Sequence, residues 1–105
     1  MKKMFAAVVF CSTALFASTA LAHSPVVSCL DNGDGTITCE GGFSDGSSAA
    51  GVSMRVLDGS GTILFEGKMD KDEEYTFKKP EGAYKVVFDA GDGHSVEVDG
   101  AKIVQ

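Results

Sequence analysis

The stretch "GVSMRVLDGSGTILFEGK" (residues 51–68) decides the fold. Its apolar Val52, Met54 and Val56 alternate with Ser53 and Arg55, so an extended chain presents the first set on one face and the second on the other. "DGSG" (58–61) carries the chemistry of a tight reversal, and Thr62–Gly67 runs on as a second extended segment, which makes the pair a hairpin. The pattern recurs outward. "EYTFKK" sets Tyr75 and Phe77 against Thr76 and Lys78, and "AYKVVFD" sets Tyr84, Val86 and Phe88 against Lys85, Val87 and Asp89. Val87 on the second face marks a strand covered on both sides. Further strand segments are Val26–Cys29, Thr36–Glu40 and Ser95–Val98, with a last run at Lys102–Val104. Glycines in Asp-Gly, Asn-Gly and Ser-Gly pairs break the chain at short intervals. "KPEG" (79–82) joins two more strands as a tight turn, and "GGFSDGSSAAG" (41–51) is expected to be a mobile loop. The expectation is an all-β chain forming one small antiparallel β-sandwich.

The N-terminal segment has a different character. Lys2 and Lys3 precede an apolar run, Met4–Ala17, interrupted only by Ser12 and Thr13, and Ala20-Leu21-Ala22 has the small-x-small form that a signal peptidase cuts after. The run is too short for a membrane span. Phe10 stands before Cys11 where a lipoprotein cut needs a small residue. Residues 1–22 are therefore expected to be a cleaved signal peptide and residues 23–105 a single domain, periplasmic or secreted, without membrane insertion after cleavage. That domain holds seven Lys and Arg against 15 Asp and Glu, a formal charge of −8. Such a balance argues against nucleic acid and anionic membrane surfaces, and suits a protein that meets cations.

Cleavage also removes Cys11 and leaves Cys29 and Cys39. A hairpin centred on Asp34, in the turn-rich "LDNGDGTIT", sets these two directly opposite each other. In an oxidising compartment that pair reads as a disulfide; the competing thiolate metal site has no histidine nearby in sequence. The same turn matches an EF-hand loop at Asn32, Asp34 and Gly35. It fails at both ends, where Leu30 and Gly41 occupy the positions of the first Asp and the bidentate Glu.

His23 and His94 are the only histidines. Cleavage after Ala22 would make His23 the first residue, so that its free amine and a nitrogen of its own ring could close a chelate on one ion. His94, in "DAGDGHSVEVDG" (89–100), would add a second imidazole. Asp92 would add a carboxylate or orient that ring, and Gly91 and Gly93 would let the backbone present it. Nitrogen donors of this kind suit Ni(II), Co(II), Cu(II) and Zn(II). Pro25 has no amide proton, so further backbone nitrogens cannot wrap the ion. The plain alternative is that His23 marks where the leader ends and His94 is a polar turn residue. Met54 lies on an apolar strand face and is read as core rather than as a soft ligand. "MDKDEE" (69–74) is read as a solvated acidic turn, and no nucleophile–base spacing points to catalysis.

From Gly51 to Val98 the chain resembles the transthyretin-like, carboxypeptidase-regulatory-type domains of small exported bacterial proteins. The likeness rests on the hairpin Val52–Gly67, the "Y-x-F-x-x-P" element Tyr75–Pro80 and the "Y-x-V" strand that begins at Tyr84 and ends at Gly91. "FDAGDGH" is similar to a "D-A-G-x-G-H" element of periplasmic accessory proteins of nickel and cobalt uptake. That resemblance implies metal delivery or buffering for a membrane transporter. A second resemblance, to periplasmic copper-binding proteins with an N-terminal histidine brace and a downstream D-x-H, falls on His23, Asp92 and His94. The chain departs from that pattern after His94, where "SVEVDGAKIV" stands in place of a long closing strand.

Overall fold

Alternating apolar and polar side chains produce seven strands in the computed structural model, which describes residues 23–105; the expected leader, residues 1–22, lies outside the described residues. The strands are β1 (Pro25–Asp31), β2 (Thr36–Phe43), β3 (Ser53–Asp58), β4 (Ile63–Lys68), β5 (Glu74–Lys78), β6 (Tyr84–Asp89) and β7 (Ser95–Asp99), followed by a one-turn 3-10 helix, Gly100–Lys102. They form two antiparallel sheets, β1-β2-β5 and β4-β3-β6-β7, packed into a small sandwich. β1 approaches β7 along one edge of the sandwich, and β4 approaches β5 along the other.

Side chains at every second position fill the space between the sheets. Ile37 and Cys39 of β2 and Phe77 of β5 meet Met54 and Val56 of β3 and Tyr84, Val86 and Phe88 of β6. Full burial of an Ile, Met or Phe side chain stabilises the fold by about 1.5–3 kcal/mol, so this set carries most of the cohesion. Val87, on the opposite face of β6, is also buried, as its strand pattern requires. Gly41 belongs to the inner face of β2. A Cβ there would run into the Phe88 ring and come within 3.0 Å of Met69 Cε.

The β1–β2 hairpin has the expected register, with Cys29 paired to Cys39 across the ladder, Cα atoms 4.0 Å apart, and the two joined as a disulfide. Asp34 Oδ1 accepts from both the amide and the hydroxyl of Thr36, and Asp31 Oδ1 accepts from the Gly33 amide, which closes the turn.

Three local expectations are corrected. "KPEG" does not close a hairpin, because β5 pairs with β2 and β6 with β3, so residues 79–82 carry the chain across from one sheet to the other. The last run is not a strand. Asp99 caps the 3-10 turn through Ala101 N, Ile103 drops into the core, and Val104 O accepts from the Asp31 amide. The 41–51 segment is tied down rather than loose. Its first three residues extend β2, Ala49 is fully buried, the Ala49 amide donates to Glu73 Oε2, and the Gly51 amide donates to Met69 O.

Candidate metal centre

One end of the sandwich gathers three segments: the residues before β1, the end of β2 with the turn that follows it, and the β6–β7 hairpin. Ser24 precedes β1 and is fixed to Ser44, its amide donating to Ser44 Oγ and its carbonyl accepting from Ser44 N. That clasp continues the β1–β2 ladder beyond Pro25 and Phe43 and sets the imidazole of His23 flat on the Phe43 ring, with centroids 4.3 Å apart and planes 10° from parallel. Phe43 in turn meets Phe88 edge to face at 6.0 Å, so the floor under His23 is continuous with the core.

His94 is delivered by the tight β6–β7 connection. The Ala90 amide donates to His94 O and the His94 amide to Gly91 O, while Gly91 and Gly93 take positive φ angles of 108° and 73° that L-residues with a Cβ rarely adopt. Asp89 anchors the base of this turn. Its carboxylate accepts from the Gly91 amide and from Arg55 Nη1, and both bonds hold its pKa below the usual carboxylate range.

The two imidazoles, 71 positions apart in sequence, lie with ring centroids 5.7 Å apart and planes at 69°. Two imidazoles on one ion, at metal–nitrogen distances of about 2.0–2.1 Å, have ring centres roughly 4.5–6.4 Å apart as the angle at the metal opens from about 90° to about 180°. The observed separation falls in that interval. Among the described residues, no group of three or more His, Cys, Asp or Glu side chains is assembled to hold a metal ion. The two imidazoles are thus brought together at this end with no carboxylate or thiolate group completing a set around them among the described residues.

Each ring has its Nδ1 already engaged. Nδ1 of His94 lies 2.7 Å from the main-chain carbonyl of Asp92, and Nδ1 of His23 lies 2.9 Å from Oδ2 of Asp45. A carbonyl and an ionised carboxylate only accept, so both Nδ1 atoms donate; in the neutral rings the lone pair is then on Nε2. Asp92 thus meets His94 through its backbone carbonyl, which fixes the orientation of the ring. Asp45 is held by the Ser47 hydroxyl and amide, both donating to Oδ1, and by His23 on Oδ2. The Ser47 hydroxyl bond, then His23, keeps its carboxyl well below the usual range.

Asp45 and Phe43 carry no signal in the sequence. Both sit in the 41–51 segment expected to be a mobile loop, and "SDGSS" looks like the other Asp-Gly turns of this chain; the pairing of Ser24 with Ser44 brings it beside residue 23. Comparison with protein-family models, curated proteins and solved structures finds no match to this chain.

Proposed function

We propose that this chain is an exported, non-enzymatic protein that binds one divalent transition-metal ion between His23 and His94, and buffers it or delivers it to a membrane transporter. The observation that carries the reading is the convergence of the only two histidines to 5.7 Å, each with Nδ1 held by an oxygen acceptor and Nε2 left to donate. Imidazole donors select nickel, cobalt, copper or zinc over magnesium and calcium. The likeness of "FDAGDGH" to nickel and cobalt accessory proteins favours the first two. The acidic net charge raises the local concentration of any cation.

A metal-free interaction module of the cell envelope is the second reading, favoured by exposed Ile63 and Leu64 on the edge strand β4 and exposed Val26 and Leu30 on the edge strand β1. Titration of Ni(II), Co(II) and Cu(II) into the secreted chain separates the two. The metal reading expects a saturable single site for at least one of these ions; absence of binding for all three would favour the interaction module.

A further inference from the structure

The sequence alone suggests a chelate in which the amine of a cleaved His23 and the Nδ1 of the same ring close on the ion. The surroundings of His23 favour a different donor. Nδ1 is the ring nitrogen that such a chelate needs, because it is the one near the main chain, and it is 2.9 Å from Asp45 Oδ2. Asp45 is itself fixed from behind, with Ser47 Oγ at 2.7 Å and Ser47 N at 3.0 Å from its other oxygen, and the flat stack on Phe43 restrains the plane of the ring. Turning Nδ1 toward a metal would break the Asp45 bond and leave Oδ2 without the imidazole donor. His94 repeats the arrangement independently, with Nδ1 on the Asp92 carbonyl.

We propose that Asp45 is the positioning residue of this site: it fixes His23 with Nε2 as the metal donor, so that the ion is held between two Nε2 atoms and a free N-terminal amine is not required. The proposal rests on the metal reading above. Its consequence is that the site can form whatever residue precedes His23, and that Asp45 acts on the metal through the imidazole rather than as a ligand. A carboxylate behind a ligating imidazole raises its basicity and fixes its orientation, and loss of such a partner typically weakens metal binding about 10–100-fold.

The test uses proton–nitrogen correlation NMR of the histidine rings in the secreted protein, first metal-free and then with Zn(II), a diamagnetic probe. Metal-free protein should show His23 protonated on Nδ1, and Asp45→Ala should abolish that preference while Asp45→Asn, which keeps an acceptor oxygen, retains much of it. On zinc addition the nitrogen that shifts should be Nε2 in both rings. Asp45→Ala should weaken zinc binding about 10–100-fold, and one extra residue ahead of His23 should leave affinity unchanged. Zinc on Nδ1 of His23, or loss of binding in the extended chain, would overturn this inference while leaving the metal reading intact. Zinc that moves neither ring's signals would remove the metal reading and the inference together, whatever tautomer the metal-free ring shows.

Discussion

At the residue scale, Gly41 links the core to the candidate site. It occupies an inward position of β2 where a Cβ would collide with the ring of Phe88, which is fully buried. Gly41→Ala is therefore expected to destabilise the fold by about 1–3 kcal/mol, the usual cost of overpacking, measured by urea unfolding. Because Phe88 packs edge to face on Phe43, and Phe43 carries His23, the same variant should also disturb the His23 ring signals; Gly42→Ala, which has open space around it, should do neither. Such a contact is invisible in the sequence, where "GG" at 41–42 looks like two equivalent loop residues. The two histidines were legible as a pair because no others exist, but their partners were not. Asp92 was expected to add a carboxylate or to orient the His94 ring, and it meets that ring through its backbone carbonyl, while Asp45 gave no signal of its own.

At the element scale, the strands were the most legible part, because period-two alternation follows directly from which face of the sheet is buried, and the Cys29–Cys39 pairing followed from the symmetry of the hairpin about Asp34. Connections were less legible. A turn motif fixes that the chain reverses, and it does not fix which sheet receives the next strand. "DGSG" closes a true hairpin between β3 and β4, yet "KPEG", with equally good turn chemistry, leads across the core. The disulfide staples β1, an edge strand, to β2. Replacing both cysteines by Ala should lower stability by about 2–3 kcal/mol on the chain-entropy estimate for so short a loop, and the loss should appear as a lower thermal midpoint that reductant no longer alters. An unchanged midpoint would mean that the ladder alone holds β1 in place.

At the scale of the whole molecule, carboxylates tie the ends of the sandwich together. Asp31 accepts from Lys79 Nζ at 2.8 Å at one end, while Asp89 and Asp45 serve the other. All three, with Asp34, have pKa values held below the ordinary range by hydrogen bonds. A carboxyl whose folded pKa is depressed contributes stability that is present above its unfolded value of about 3.9 and is lost as pH falls through the folded value. The fold is thus expected to keep its acid-side stability down to about pH 4 and to lose it progressively below that, as denaturant midpoints across pH 2–6 would reveal; a midpoint independent of pH in that range would remove these bonds from the account of stability. The gathering of three segments at one end brings residue 23 beside residue 94, and the functional reading depends on that proximity. Calorimetric titration of Ni(II) into the protein and into its His23→Ala and His94→Ala variants tests it most directly. One ion per chain and at least roughly tenfold weaker binding in each variant are expected. A His94→Ala protein that binds nickel as tightly as the parent would contradict that reading.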